Sequence, residues 1–434
     1  QHIARYLESL GVASLNISSG SYESGWSIIE PYPYQEGWKK HLAKGIKECV
    51  HIPVIAVNTV KHPAHAEAML EEGVSDFVGV ARGNLCDPEF GNKAKRGDDA
   101  RVRKCIGCMN CFKQAGLGRA IECAVNPVLG RETYRGDDKL IKNGDGRTVA
   151  VIGAGPSGLQ AAITLAKRGF KVVVFEKSDR IGGAVNLADA PIGKYKLGWL
   201  IDYYERMIRK LGIRVQLNTE CTPQMLRAMD PYAVFVATGS DEFIPPIDGL
   251  SGENVLSVRE YIRSKPAVSG KRVVVLGAGQ TGLEAARMLA QDNTVTVVDM
   301  MPDEIPANTD HRLDLFYAKD AGVQTVLGHR ILRVDGAGVT VASVASGEER
   351  ALPADLVVVA LGVRPVAELY NEIKDAFPHV CKLGDSVKPG FIVHATTAAY
   401  EAAASLPAKP YEVKEVYFAA EKEAVKPQLI NPYA

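Results

Sequence analysis

The sequence predicts an α/β protein made of several parallel-stranded units, and three observations carry that prediction. Short apolar strands alternate with helical stretches along residues 1–92. A succession of strand, glycine loop, helix and strand starts at Thr148, and the same succession starts again near Lys271. Alternation of this kind makes the strands parallel, because a parallel pair needs a crossover long enough to hold a helix. The chain has 434 residues, too many for one ordinary domain and suited to about three.

Composition bounds the partners. Hydrophobic residues make up 46% and charged residues 24% of the chain, which is ordinary for a globular protein. With 51 basic and 51 acidic residues the formal net charge is zero, so no nucleic-acid partner is expected. No apolar run reaches the roughly 18 residues of a membrane span, and no membrane association is expected. The chain opens on Gln1-His2-Ile3-Ala4-Arg5, without methionine. It lacks a signal peptide's apolar stretch and cleavage site. A cytoplasmic location is expected, and the chain reads as a piece of a longer polypeptide, or a processed or incompletely determined one.

In the first region, strands are predicted at Ala13 to Ser18, Val54 to Val57 and Phe77 to Ala81, with a helix over Pro63 to Leu70. Three such strands cannot close a barrel by themselves. Residues 93–145 show little periodicity and hold a cluster of cysteines, so they read as a connecting module stiffened by a metal centre.

From Thr148 the pattern sharpens. Thr148 to Ile152 is a buried strand, and the loop Gly153-Ala154-Gly155-Pro156-Ser157-Gly158 leads into a helix. Gly153 permits the tight turn. Gly155 lets backbone approach a pyrophosphate, and Gly158 lets helix and strand pack closely. The helix start offers free N–H groups and partial positive charge to phosphates. Glu176 ends the next strand, where its carboxylate can accept from a ribose diol. Glycines also mark plain turns, but here strand, loop, helix, strand and acid agree. The second loop reads Gly277-Ala278-Gly279-Gln280-Thr281-Gly282, and Asp299 ends the following strand. An acid there accepts from a free 2′-hydroxyl and repels a 2′-phosphate, which favours NADH over NADPH.

Four of the eight cysteines fall in one short run: Cys105, Cys108, Cys111 and Cys123. Three thiolates at a spacing of three wrap one side of a site, and a fourth closes it. Four thiolates suit zinc or a [4Fe-4S] cluster. Structural zinc usually takes two CxxC pairs, so this spacing favours the iron–sulfur cluster. Cys49, Cys86, Cys221 and Cys381 read as buried small hydrophobes. No redox-active cysteine pair follows the first loop, which disfavours disulfide reductase chemistry.

Several further segments carry a family resemblance. Arg180-Ile181-Gly182-Gly183, Ala237-Thr238-Gly239, Ala360-Leu361-Gly362 and Gly384-Asp385 follow the loops in the order seen in two-dinucleotide flavoprotein reductases. With CxxCxxC, the later Cys123-Ala124-Val125-Asn126-Pro127 and Gly384-Asp385-Ser386-Val387-Lys388-Pro389, the chain up to about residue 404 resembles one group in particular. It is similar to 2,4-dienoyl-CoA reductase, enoate reductase and trimethylamine dehydrogenase, among the old yellow enzyme-like NADH:flavin oxidoreductases.

The resemblance implies FAD at the first loop, with Arg180, Gly183, Thr238, Gly239, Gly384 and Asp385 beside it. It implies NADH at the second loop, with Glu284 near the nicotinamide. It implies an FMN-bearing (β/α)₈ barrel, of which residues 1–92 would be the C-terminal part. Asn58 and Thr59, and Ala81 and Arg82, then resemble the strand-end loops that cradle the FMN phosphate. Tyr22, in Ser19-Gly20-Ser21-Tyr22-Glu23, would touch substrate or donate a proton. Without the resemblance Glu284 is an ordinary helix residue, Arg82 a solvated loop arginine and Tyr22 a packed tyrosine.

The expected domains are residues 1–92 as barrel remnant and 93–145 as cluster module. Residues 146–243 with 365–404 form the FAD fold, 244–364 the inserted NAD fold, and 405–434 a surface tail. The implied activity passes electrons from NADH through FAD and the cluster to FMN, which reduces an activated C=C bond of an enoate or enoyl thioester. The alternatives are an amine dehydrogenase running oxidatively and an electron-transfer subunit with diaphorase activity only. The partners implied are NADH and a small-molecule substrate, in a chain that can also self-associate as a homo-oligomer.

Overall fold

The computed structural model describes residues 1–21, 27–57, 59–302 and 311–406. Tyr22, Asn58 and nearly all of the expected surface tail lie outside the described residues. The chain divides into two compact units. One takes Gln1–Gly183, Lys196–Thr238 and the chain from Ala367; the other takes Ala184–Tyr195 and Gly239–Val366. Among the described residues no helix is long and apolar enough to cross a membrane.

The first unit holds two sheets. Leu15–Ile17, Val54–Ala56 and Phe77–Val78 form a parallel three-stranded sheet in that order. The helices Lys40–Lys47 and Pro63–Glu71 are its crossovers, and bury Ala43 and Met69 against Val54 and Ala56. The helix Arg82–Cys86 follows the third strand directly.

The second sheet is parallel throughout and runs Val380–Lys382, Ala233–Val236, Thr148–Ile152, Lys171–Phe175, Arg214–Gln216. Counting from the strand at Thr148, the order is 3-2-1-4-5, the doubly wound arrangement. Its central strands are nearly all buried because helices cover the sheet. The helices Pro156–Lys167 and Ile392–Ser405 pack on each other on one side. Strand order reverses beside Thr148–Ile152, and the crevice at the carboxyl ends of such strands is where ligands bind in this fold.

The second unit repeats the design. Its parallel sheet runs Gln324–Val326, Thr294–Val298, Arg272–Leu276, Leu356–Val359, Val255–Ser257. An antiparallel meander, His329–Asp335, Gly338–Ser343 and Glu349–Pro353, packs on it through Val334, Val339 and Val341. The reversal again lies beside the strand that feeds the glycine loop.

Candidate cofactor sites

The glycines of both loops are required by close backbone approach. Gly153 has φ +100°, and a Cβ on it would lie 2.3 Å from the Ala237 carbonyl oxygen. A Cβ on Gly158 would lie 2.0 Å from the Gly153 oxygen. In the second unit Gly277 has φ +108° with the Ala360 oxygen 2.4 Å from its would-be Cβ, and Gly282 meets the Gly277 oxygen at 2.0 Å. The two middle glycines differ from these. A Cβ on Gly279 meets nothing within 4 Å, and one on Gly155 touches only Gly183 at 4.0 Å. The space outside both helix starts is therefore open to a pyrophosphate. Gly155 and Gly279 are the N-cap residues, with Pro156 and Gln280 opening helices of 12 and 10 residues.

The acids at the strand ends have a part the sequence did not show. Glu176 accepts from the Ala154 N–H at 2.7 Å and, through its other oxygen, from the Ser178 N–H at 2.9 Å. Asp299 does the same with the Ala278 N–H at 2.7 Å and the Met301 N–H at 2.8 Å. Each carboxylate thus clamps its own glycine loop. An ionised carboxylate has about four acceptor sites, so capacity for a ribose hydroxyl remains.

Around the first loop, Gly182 donates to the Ala154 carbonyl at 2.8 Å, and Gly183 lies against Gly155. Arg180 is exposed, its carbonyl accepting from Ser178. The segment Lys196–Thr238 of the first unit ends at Thr238, and Gly239, at φ +77°, begins the inserted run. Gly384, at φ +60°, packs where a Cβ would meet Ser157 Cβ at 2.9 Å, and Asp385 accepts from the Gly390 N–H at 3.1 Å. The Ser157 hydroxyl is buried without a hydrogen-bond partner among the described residues. A buried hydroxyl without a partner is costly. Standing at the helix start between the glycine loop and Gly384, it fits a phosphate-bearing dinucleotide.

In the second unit Glu284 is buried and forms an ion pair with the buried Lys194. Burial drives its carboxyl up to about 7 despite Lys194, which pulls the other way. It rises one turn beyond Gln280 on the same helix.

The four clustered cysteines line one cavity, together with Arg82, Leu85, Cys86, Met109 and Glu122. Cys105 and Cys123 are buried, Cys111 is half-buried and Cys108 exposed. Gly107 turns the chain between the first two thiols at φ +71°, where a Cβ would press on the Tyr32 backbone at 3.0 Å. The helix Asn110–Gly116 carries Cys111. Beyond Cys123, the Ala124 carbonyl accepts from Thr396 Oγ1 at 3.0 Å, so the cluster segment is bonded to the helix Ile392–Ser405 that follows Gly384-Asp385. Among the described residues no three His, Cys, Asp or Glu side chains converge on a single-ion position. Four thiols lining one cavity are a donor set that fits a four-iron cluster.

Cys86 is the residue that sequence reasoning missed. It is 2% exposed, with its sulfur 3.5 Å from that of Cys123. Cys86 also faces Cys105, and that contact, with the charges of Lys61 and Arg82, holds the Cys105 thiol down to about 5 against burial. Lys61 is 1% exposed, and its ammonium has no hydrogen-bond partner among the described residues. Lys196 is fully buried, donates to the Tyr32 carbonyl at 2.8 Å, and is lowered to about 7 by burial and then by the charge of Lys61.

Thr59, Ala81 and Arg82, which the resemblance assigns to an FMN phosphate, have these partners among the described residues. Arg82 donates to the Glu30 carbonyl at 2.6 Å and to Met109 Sδ at 3.2 Å, and forms an ion pair with the Glu30 carboxylate at 3.2 Å. A buried carboxylate needs such a partner, and Glu30 takes Arg82 and Lys39 together. Thr59 donates to the Gln35 carbonyl and accepts from the Gly37 N–H, and Ala81 caps the helix that Arg82 opens.

One dinucleotide fold inserted within another, each with its ligand crevice at a strand-order reversal, defines a two-dinucleotide flavoprotein. The family model described as pyridine nucleotide-disulphide oxidoreductase matches residues 124–228 and 147–378. The chain belongs to that family. It is 35% identical to an NADH oxidase of Thermoanaerobacter brockii over 93% of this chain and 63% of the relative. It is 31% identical to a metal reductase of Desulforamulus reducens over 93% of this chain and 65% of the relative. A solved 2-naphthoyl-CoA reductase superimposes with a TM-score of 0.86 at 26% identity, covering 93% of this chain and 62% of that one. The chain thus spans a little under two thirds of the length of these relatives.

Proposed function

We propose that this chain takes electrons from NADH at its second glycine loop, onto FAD at its first, and delivers them singly to an iron–sulfur cluster for reduction of an activated C=C bond. FAD supplies hydride acceptance and the cluster one-electron transfer, a division of labour that belongs to the cofactors. The observation that carries the reading is the Thr396–Ala124 hydrogen bond, which ties the cysteine segment to the helix bordering the first dinucleotide crevice.

The chain's residues supply binding and orientation. The helix starts at Pro156 and Gln280 would take the pyrophosphates, with Gly155 and Gly279 leaving room. Ser157 would donate to the FAD phosphate or ribityl region. Glu176 and Asp299 would accept from ribose hydroxyls while holding their loops closed. Glu284 would border the nicotinamide, and Cys105, Cys108, Cys111 and Cys123 would hold the cluster. The strand–helix units from Leu15 to Val78 are proposed as units of an FMN-bearing barrel, with a small substrate handled there.

The test separates the two halves. Anaerobically prepared protein should bleach its flavin absorbance on adding NADH, and Cys108→Ala should keep that bleaching while losing iron. NADH oxidation should then couple to an enoate or enoyl thioester in the wild type only. Turnover of a methylated amine in place of the enoate would overturn the reductive assignment, and iron retained by Cys108→Ala would overturn the ligand set.

A further inference from the structure

We infer that Cys86 is a positioning residue for the iron–sulfur centre: its thiol donates an S–H···S hydrogen bond to the Cys123 thiolate and raises the cluster's reduction potential. The inference rests on the cluster proposed above and concerns a fifth thiol outside the ligand spacing.

The geometry is specific. Cys86 Sγ lies 3.5 Å from Cys123 Sγ, within the range of a hydrogen bond involving sulfur. It is 2% exposed and lines the same cavity as the four expected ligands. It ends the short helix Arg82–Cys86, one turn after Arg82, so both side chains reach the cavity from one helix face.

Its backbone is pinned from both ligand segments. The Cys86 carbonyl accepts from Arg103 Nε at 2.6 Å, two residues before Cys105. The Leu85 carbonyl accepts from Asn126 Nδ2 at 2.9 Å, three residues after Cys123. Asp87 accepts from the Arg103 N–H at 2.8 Å and pairs with Lys93. A thiol fixed this firmly against a ligand sulfur has a structural reason to be there beyond filling space.

The chemistry follows from charge. Reducing a cluster adds an electron that is spread partly onto its sulfurs, so a donor hydrogen bond to a ligating sulfur stabilises the reduced form more than the oxidised one. Hydrogen bonds to the sulfurs are among the levers that set these potentials. Four thiolates complete a cubane's ligation, so a fifth thiol lining the same cavity is placed to donate rather than to ligate.

The experiment is a redox titration of the anaerobically reconstituted full chain, followed by the electron paramagnetic resonance signal of the reduced cluster, with iron assayed in parallel. Cys86→Ala should keep the wild-type iron content and shift the midpoint negative. A tenfold shift in the one-electron reduction equilibrium, about 59 mV, is the expected scale. Cys86→Ser keeps a donor in place and should recover part of the shift. A Cys86→Ala midpoint equal to the wild type overturns the inference, as does a Cys86→Ser midpoint no higher than that of Cys86→Ala. Loss of iron in Cys86→Ala with iron kept in Cys123→Ala also overturns it, by making Cys86 the ligand. Wild-type protein that takes up no iron would instead overturn the cluster on which the inference stands.

Discussion

Gly282 and Glu284 sit two residues apart on one helix, and each answers to a different force. Gly282 answers to sterics. A methyl group there would lie 2.0 Å from the Gly277 oxygen, which is backbone and cannot step aside cheaply. Gly282→Ala should therefore abolish NADH-dependent bleaching and destabilise the second unit by about 1–3 kcal/mol or more, read as a lowered thermal midpoint with flavin still bound. Glu284 answers to electrostatics. Its folded value of about 7 lies above the ordinary 4.5, so the fold favours its protonated form. That contribution is complete below about 4.5 and is lost as pH rises to about 7, because the unfolded carboxyl ionises first. The thermal midpoint of the wild type minus that of Glu284→Gln should fall across this interval and level off above it. A flat difference would contradict the assignment. The glycine roles were legible in the sequence because spacing alone dictates them. Cys86 was not legible as a neighbour of the cluster, since only the fold brings residue 86 against residue 123.

At the scale of elements, the two acids show what a one-dimensional reading leaves out. Their place at the strand ends was readable, but their hydrogen bonds to Ala154 and Ala278 depend on the loop folding back over the strand. Asp299→Ala should thus raise the KM for NADH about tenfold or more, through both a lost ribose partner and a slackened loop. It should also narrow the preference for NADH over NADPH, measured by steady-state kinetics with each. The helix Ile392–Ser405 depends on a residue the sequence did not flag. Arg168 is 1% exposed and donates to the Ala403 carbonyl at 2.5 Å, the Ile141 carbonyl at 3.0 Å and Asn143 Oδ1 at 2.6 Å. Hydrogen bonds to a charged group contribute about 1.5–3 kcal/mol each. Arg168→Leu should unseat the end of this helix, lowering the thermal midpoint and the flavin content together, since the same helix borders the first crevice. Retained flavin at an unchanged midpoint would refute that dependence. The three strands at Leu15, Val54 and Phe77 came out shorter than their apolar runs, because pairing ends where the partner strand ends.

For the molecule as a whole, the nested fold was readable because a repeated strand–loop–helix pattern has few topologies open to it. What surrounds the cysteines was not. Lys61, Arg82 with Cys86, and Lys196 reach that region from three separate stretches of chain, and Arg82 is paired there with Glu30. The central claim is that electrons from NADH arrive at the cysteine-bound centre by way of the flavin. Stepwise anaerobic addition of NADH, with optical and paramagnetic resonance spectra taken on the same sample, tests it most directly. Loss of flavin absorbance accompanied by the signal of a reduced four-iron cluster is the predicted result; bleached flavin with no such signal in iron-replete protein would contradict it.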